Sequence, residues 1–188
     1  KQWRRWETFN SGHSVYSSIS NQQFYPKKTI DQFSLLIEGI KTNPDSRRHV
    51  VTLWNPADMN DCVLPCCHGG IIQFIVEDKK YLHCFQYQRS ADFLLGYTPW
   101  QYALLTNMIG RLTNLEPKSL TVTVGNCHVY NNQLEGISTL LTRSPKPFPA
   151  LTMSPDIKTV EDIENSILDD YKLVGYEPDS FIKFPIAV

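Results

Sequence analysis

Two short motifs near the middle of the chain carry side chains that could together do nucleophilic chemistry. The first, Leu64-Pro65-Cys66-Cys67-His68, places two thiols before an imidazole. The second, Gln88-Arg89-Ser90, supplies a guanidinium and a hydroxyl. A thiol is a strong nucleophile as its thiolate, which a nearby guanidinium stabilises. A neighbouring acid–base group can donate and accept the other protons of the reaction. An arbitrary cysteine is most often a small buried hydrophobe, so the spacing alone leaves both interpretations open.

The residues between the two motifs predict a hairpin that would position these side chains. Residues 71–76 form a short apolar run, and residues 77–80 favour a polar turn. Residues 81–88 then alternate, with aromatic or histidine side chains at odd positions and leucine, cysteine or glutamine at even positions. Folding this hairpin back would bring Arg89 and Ser90 towards the end of the sheet that holds Cys67.

The composition is that of an ordinary globular protein with one domain. The chain has 188 residues, of which 41% are hydrophobic and 20% are charged, which suits a single domain with a core. The net charge of −1 argues against a broad nucleic-acid or membrane surface. Five cysteines without metal-ligand spacing are typical of free thiols in a reducing compartment. We therefore expect a cytoplasmic protein without a metal site.

Periodicity predicts a mixture of helices and strands. A first helix is expected with Thr29 as its N-cap and an apolar stripe as far as Ile40. A second helix is expected to begin at Trp100 or Gln101. The other predicted elements are helices at 131–141 and from 160 onwards, and strands at 49–54, at 119–124 and near 181–184.

Seven motifs, taken in their order along the chain, resemble those of the thymidylate synthase family. They are Gln2-Trp3-Arg4, Asp45-Ser46-Arg47-Arg48, Trp54-Asn55-Pro56, Leu64-Pro65-Cys66-Cys67-His68, Gln88-Arg89-Ser90-Ala91-Asp92, Leu95-Gly96 and His128-Val129-Tyr130. The ending from Ile182-Lys183 to Ala187-Val188 fits as well. The resemblance covers essentially the whole chain, and seven motifs in one order are far more specific than any one of them.

This resemblance implies a fold and an activity. The fold would be α+β, with three layers around a mixed six-stranded β-sheet, one domain over residues 1–188, and a homodimer formed by sheet-to-sheet packing. The activity would be one-carbon transfer to C5 of a pyrimidine nucleotide monophosphate, dUMP by default, through a cysteine thiolate adduct at C6. The carbon would come from 5,10-methylenetetrahydrofolate.

The resemblance also implies roles for individual residues. Cys67 would be the nucleophile with His68 beside it, and Cys66, which stands where relatives usually have proline, is the minority alternative. The phosphate would be held by Arg89 and Ser90, together with Arg47 and Arg48 from the other subunit. The base and ribose would contact Gln88, Gln101, His128 and Tyr130, and the folate would contact Asp92, Trp54 and Val188.

Three departures from the family pattern leave the reaction open. The loop at residues 97–101 is shorter than in relatives, so the asparagine that reads uracil has no clear counterpart, and Gln101 could stand in for it. Asn126 stands where most relatives have aspartate. The chain begins inside the usual sequence, so we expect the N-terminal section with its catalytic glutamate to be missing. Methylation, hydroxymethylation of a uridylate or cytidylate, and nucleotide binding without turnover all stay open.

Overall fold

In the computed structural model, residues 6–8, 28–56, 62–94 and 96–185 are described, with residues 6–8, 28 and 29 as backbone only. The strands are β1 (Trp6–Thr8), β2 (Lys28–Ile30), β3 (Val50–Val51), β4 (His68–Glu77), β5 (Tyr81–Asp92), β6 (Glu116–His128), β7 (Ala150–Met153) and β8 (Tyr171–Val174). The helices are α1 (Gln32–Thr42), α2 (Tyr97–Thr113), α3 (Leu134–Leu141) and α4 (Val160–Asn165). In this described part of the chain, no helix combines the length and apolar character needed to cross a bilayer.

The central sheet is mixed and has the strand order β3-β4-β5-β6. The β3–β4 and β4–β5 pairs are antiparallel, whereas β5 and β6 are parallel. Strands β1 and β2 form a separate antiparallel pair, and so do β7 and β8. The predicted α+β class with a mixed sheet is therefore confirmed, although the central sheet has four strands among the described residues rather than six.

The β4–β5 hairpin has the geometry that its sequence predicts. Its turn contains Asp78 and Lys79, which both have positive φ angles, of 54° and 53°. The even-numbered side chains of β5 from Leu82 to Gln88 are buried, whereas Tyr87 on the other face is 37% exposed. The alternation in the sequence therefore separates a core face from an outer face.

A helical crossover carries the chain from β5 to β6. Parallel neighbours cannot be joined by a tight turn, and α2 spans the distance between them. Helices α1 and α2 pack on one face of the sheet and share a core with it, formed by Phe33, Leu36, Ile40, Val51, Leu53, Ile72, Phe74, Leu82, Cys84, Tyr102 and Ile109. The opposite face carries exposed apolar side chains, among them Val50, Ile71, Ile75 and Tyr87, each 37–49% exposed.

Both long helices begin at positions other than those predicted. Asp31 caps α1 by accepting a hydrogen bond from the backbone amide three residues ahead, at 3.0 Å, and Thr29 lies in β2 instead. Helix α2 begins at Tyr97, before the predicted start at residue 100 or 101. Gly96 occupies its N-cap position and has no side chain to make a capping bond, so this start lacks the side-chain signal that Asp31 gives α1.

The predicted strands differ from the structure mainly in their bounds. The strand expected at residues 49–54 is limited to Val50–Val51, and the one expected at 119–124 is the middle of β6. The strand predicted near residues 181–184 is wrong, because β7 pairs with β8 instead. Residues 181–184 lie between Pro178 and Pro185, neither of which can donate a hydrogen bond to a strand ladder.

Candidate active site

Cys67 and Arg89 lie side by side at one end of the β4–β5 hairpin. Cys67 immediately precedes β4, and its carbonyl accepts a hydrogen bond from the backbone amide of Arg89 at 2.9 Å. The next residue, His68, pairs with Gln88 across the two strands. The predicted return of Arg89 to the end of the sheet that holds Cys67 is confirmed.

The Arg89 guanidinium binds the loop before β4 and also reaches the thiol. Its Nε donates to the carbonyl oxygen of Cys66 at 2.8 Å, and its Nη2 donates to that of Pro65 at 2.6 Å. Nη2 also lies 3.5 Å from Sγ of Cys67. A positive charge at this distance stabilises negative charge on sulfur. The contacts that hold the loop therefore also set the distance between the charge and the candidate nucleophile.

A cavity of about 320 Å³ opens beside this thiol. It is lined by Thr52, Trp54, Cys66, Cys67, Gly70, Ile71, Tyr87 and Arg89. The guanidinium carbon of Arg89 lies 6.0 Å from the centre of the Trp54 ring, so a cationic wall and an aromatic wall meet here. A larger cavity of about 610 Å³ lies against α1 and shares Thr52 and Trp54 with the first. The two cavities adjoin, and Cys66 and Cys67 line the smaller one.

His68 is held in place by a hydrogen bond with Tyr102 of α2. The Nδ1 atom of His68 and the Oη atom of Tyr102 lie 2.8 Å apart, and the two rings meet edge to face. Burial lowers the pKa of His68 below its usual value and raises the pKa of Tyr102. A neutral imidazole therefore shares a hydrogen bond with a protonated phenol near neutral pH. Sequence reasoning missed Tyr102, because its apolar neighbours in α2 mark it only as part of a core helix.

Gly69 makes room for the contact between these two rings. Its φ angle is 73°, a conformation that other residues rarely adopt. A Cβ atom on Gly69 would lie 2.8 Å from Oη of Tyr102 and 2.5 Å from Cδ1 of Leu53. A larger residue would therefore both strain the backbone and displace the phenol.

A second group of polar side chains lies at the carboxyl ends of the parallel strands β5 and β6. In the register of this pair, Ser90 lies opposite Asn126, and Asp92 lies opposite His128. The Nδ1 atom of His128 lies 3.0 Å from Oδ1 of Asn126, and its ring meets that of Tyr130 edge-on at 5.1 Å. An amide oxygen only accepts hydrogen bonds, so this contact places a proton on Nδ1. Asn126 therefore orients the imidazole.

Asp92 is held by a buried glutamine that sequence reasoning also missed. Its Oδ2 accepts a hydrogen bond from Nε2 of Gln133 at 2.9 Å, and its Oδ1 accepts one from the backbone amide of Leu94 at 3.1 Å. Gln133 is 2% exposed; its Oε1 accepts from the amide of Tyr130 at 3.2 Å, and its Nε2 also donates to the carbonyl of Pro185 at 3.4 Å. One amide group thus joins Asp92, Tyr130 and the carboxyl-terminal segment. Its place just after the His128-Val129-Tyr130 motif is the signal that could have found it.

The ordered motifs can also be compared with known protein families. The family model described as thymidylate synthase matches residues 1–188. The protein belongs to the thymidylate synthase family. Members of this family carry out folate-dependent one-carbon transfer to C5 of a pyrimidine, generally with 5,10-methylenetetrahydrofolate as the carbon donor. The predicted family and fold class are confirmed, and the transferase chemistry is confirmed at the level of the family.

Not every residue with a role implied by the thymidylate synthase family lines the smaller cavity. Arg47 and Arg48 are exposed in the turn before β3, and Gln101 is exposed near the start of α2. Gln88 is buried, and its side-chain amide donates to a backbone carbonyl of its own strand at 3.0 Å. Val188 lies outside the described residues. The roles of these five residues, like those of the other residues named by the resemblance, stay predictions.

Proposed function

We propose that this protein transfers a one-carbon unit from 5,10-methylenetetrahydrofolate to C5 of dUMP, with Cys67 as the nucleophile. The observation that carries the proposal is the 3.5 Å contact between Nη2 of Arg89 and Sγ of Cys67. C5 of a pyrimidine is a weak nucleophile, and addition of a thiolate to C6 makes it reactive. A protein that only bound nucleotides could use Arg89 for the phosphate, but it would have no use for a thiol beside that guanidinium.

Arg89 and Ser90 are the proposed ligands of the nucleotide phosphate. A guanidinium has five N–H groups, which is more than the contacts with Pro65, Cys66 and Cys67 use. Arg89 can therefore hold the loop and bind a phosphate oxygen at the same time, and charge-assisted hydrogen bonds of this kind are strong. Ser90 follows directly in β5 and adds a hydroxyl donor.

His68 is the proposed proton-handling group beside the nucleophile. Its pKa is lowered by burial, so the ring is neutral at physiological pH and can either donate or accept a proton. The phenol of Tyr102 engages Nδ1, so a proton exchanged with the base would pass through Nε2. His68 follows Cys67 directly in the chain, and its ring contacts Tyr102 of α2.

Asp92 and Trp54 have the chemistry that a folate ring requires. Each oxygen of Asp92 accepts one hydrogen bond from the protein, and a carboxylate oxygen can accept a second, so the side chain can receive the N–H groups of a pterin. Trp54 offers a flat apolar surface beside the cavity. When bound, the folate would supply the carbon at the oxidation level of formaldehyde and, where the product is a methyl group, the hydride that reduces it. Val188 is proposed to close over it, as the resemblance implies.

The open face of the central sheet supports the proposed homodimer. Val50, Ile71, Ile75 and Tyr87 leave an apolar surface exposed on the side opposite α1 and α2. Patches of this kind on a protein surface commonly mark contacts with another protein. The turn that carries Arg47 is tied to this face, because its carbonyl accepts a hydrogen bond from Nε2 of Gln73 at 3.3 Å. This contact supports the proposal that Arg47 and Arg48 extend into the site of a second subunit.

Hydroxymethylation of a uridylate or cytidylate is the second candidate. Among the described residues that line the cavity beside Cys67, none carries a carboxamide, and Gln101 is exposed on α2. A site that reads its base through hydrogen bonds rejects other bases strongly, and a site without that reader is less restricted. Asn126, which orients His128, is a second difference from the pattern of most relatives.

A product assay separates these candidates. Purified protein is mixed with 5,10-methylenetetrahydrofolate and one nucleotide in each of four tubes, which hold dUMP, dCMP, UMP or CMP. The masses of the products are then measured by mass spectrometry. A methyl increment on dUMP is the expected result. A hydroxymethyl increment, or turnover of a cytosine nucleotide, would replace the first candidate by the second. A protein that binds nucleotide and forms no product with any of the four would contradict both.

The matched controls are Cys67→Ser and Cys66→Ser. Cys67→Ser removes the proposed nucleophile and should abolish product formation. Cys66→Ser removes the neighbouring thiol and should retain it. The reverse pattern would transfer the nucleophilic role to Cys66.

A further inference from the structure

We propose that Cys66 is a resolving thiol that converts oxidised Cys67 into a disulfide between the two adjacent residues. Both residues are free cysteines, and both line the cavity of about 320 Å³. Cys66 is exposed and Cys67 is half-buried. The effect of this disulfide on turnover rests on the proposed function, whereas the formation of the disulfide does not.

Cys67 is the thiol that an oxidant would attack first. Thiolate character and access together decide which cysteine is oxidised. Cys67 combines access from the cavity with the Arg89 guanidinium at 3.5 Å from its sulfur. Cys84 lacks both features, since it is buried and packed in the core.

Neither sulfur atom is locked in place by a strong contact. The thiol of Cys66 approaches the carbonyl of Leu53 at 3.7 Å, and that of Cys67 approaches the carbonyl of Pro65 at 3.9 Å. Both are long, weak contacts for thiols. The Cys66 side chain can therefore turn towards Cys67 at little energetic cost, while Cys67 keeps its contact with Nη2 of Arg89 at 3.5 Å.

The resulting disulfide would be strained and therefore easily reversed. Adjacent Cα atoms lie about 3.8 Å apart, less than the separation of about 5.5 Å that disulfides prefer, and strained disulfides are more readily reduced. Closing the ring would also turn the peptide between the two residues. That peptide carries the Cys66 carbonyl, which Nε of Arg89 binds at 2.8 Å. Oxidation would therefore consume the nucleophile and disturb one of the two carbonyl contacts that hold Arg89.

The chemistry needs one peroxide and balances without a further reagent. The thiolate of Cys67 attacks one oxygen of hydrogen peroxide; an S–O bond forms, the O–O bond breaks and hydroxide leaves, which gives a sulfenic acid. The thiolate of Cys66 then attacks that sulfur; the S–S bond forms, the S–O bond breaks and a second hydroxide leaves. Two thiols and one peroxide thus give one disulfide and, with the two thiol protons, two water molecules.

Mass spectrometry of one tryptic peptide tests the proposal without any turnover. Cleavage after Arg48 and Lys79 yields a peptide that holds Cys62, Cys66 and Cys67. In a Cys62→Ser background, peroxide treatment followed by thiol blocking should leave this peptide lighter by two hydrogen atoms and unblocked. The additional change Cys66→Ser should abolish that product and leave a sulfenic acid that dimedone traps, or its more oxidised forms.

Two outcomes would overturn the proposal. One is the same oxidised product with and without Cys66; the other is a Cys67 disulfide to Cys127 or to a second chain. Recovery after dithiothreitol gives an independent readout, since the Cys62→Ser protein should regain its activity, whereas the double variant should permanently lose the fraction oxidised beyond the sulfenic acid. If the protein proves inactive on all four nucleotides, the peptide masses still decide whether the disulfide forms.

Discussion

Oη of Tyr102 lies 2.8 Å from Nδ1 of His68, although 34 positions separate the two residues in the chain. The imidazole belongs to the β4–β5 hairpin, and the phenol belongs to α2. The orientation of His68 is therefore set by the helix and not by the strand that carries it. Residues 97–101, which the sequence predicts to form a shortened loop, instead form the start of α2, directly before Tyr102.

Tyr102→Phe should lower kcat while the KM for nucleotide changes little. The change removes one hydrogen bond to His68 and keeps the ring, and a typical hydrogen bond contributes about 1 kcal/mol, so we expect about a fivefold to tenfold loss. Steady-state kinetics checks this. Tyr97→Phe, on the exposed part of the same helix, is the matched control and should leave kcat unchanged. Equal effects of the two changes would refute a role for the Tyr102 hydroxyl.

Arg89→Lys should weaken both the reactivity of Cys67 and nucleotide binding. Lysine keeps the charge and loses the planar fork that reaches the Pro65 and Cys66 carbonyls together. Loss of a hydrogen bond to a charged group corresponds to about 1.5–3 kcal/mol, so alkylation of Cys67 by iodoacetamide should slow by roughly tenfold to a hundredfold. Arg111→Lys, on the exposed side of α2, is the control. An unchanged alkylation rate would contradict the geometry proposed for the thiol.

Gln133→Leu should destabilise the protein and raise the KM for folate. The substitution leaves Oδ2 of Asp92 and the amide of Tyr130 without their buried partner. An unsatisfied buried group typically costs about 1–3 kcal/mol of folding free energy, which urea unfolding can measure. Asn132→Ala, at the exposed neighbouring position, should neither destabilise the protein nor raise the KM for folate. A stability loss without any change in the KM for folate would confine Gln133 to a structural role.

His68 should make the stability of the protein fall as the pH is lowered. Burial lowers the pKa of His68 in the folded state, so the unfolded chain binds a proton that the folded protein resists. The contribution of His68 to the free energy of unfolding is complete above its pKa in the unfolded chain, about 6.5. This contribution is lost as the pH falls through the lower pKa of the folded state. The free energy of unfolding of the wild type, minus that of His68→Gln, should therefore decrease from neutral to acidic pH. A difference that does not depend on pH would show that His68 titrates alike in both states.

Cys84 should resist thiol reagents in the native protein. Burial raises the pKa of Cys84 to about 11, so little thiolate exists at a mildly alkaline pH, and the core also blocks access. A disulfide exchange reagent should label the exposed Cys62, Cys66 and Cys127 quickly, and Cys84 only after denaturation. Peptide mapping identifies the labelled sites. Labelling of native Cys84 as fast as that of Cys127 would mean that the core opens readily.

The parts of the site that lie close together in the chain were predictable from the sequence. The alternation over residues 81–88 and the polar turn at 77–80 are local patterns, and they suffice to place Arg89 beside Cys67. The start of α2 was predicted a few residues too late, because Gly96 gives a weaker N-cap signal than a side chain that makes a capping bond. The strand expected near residues 181–184 failed because β-propensity does not reveal which segment finds a partner.

Tyr102 and Gln133 show what local patterns miss. Each makes its contact through the tertiary fold, at separations of 34 and 41 residues from His68 and Asp92. A tyrosine or glutamine in a helical stretch looks like many others until its partner is known. The ordered motifs identified the family, yet these two supporting residues lie outside the motifs that carried the identification.

Because β5 pairs with β6 in parallel, the two halves of the site are expected to form at different times during folding. The half with Cys67 and Arg89 closes through a hairpin with a tight turn, and hairpins form in about 1–10 μs. The half with Ser90, Asp92, Asn126 and His128 requires the whole α2 crossover to dock first, and such nonlocal contacts form slowly. From these timescales we expect the pair of Cys67 and Arg89 to form before the pocket around it during folding.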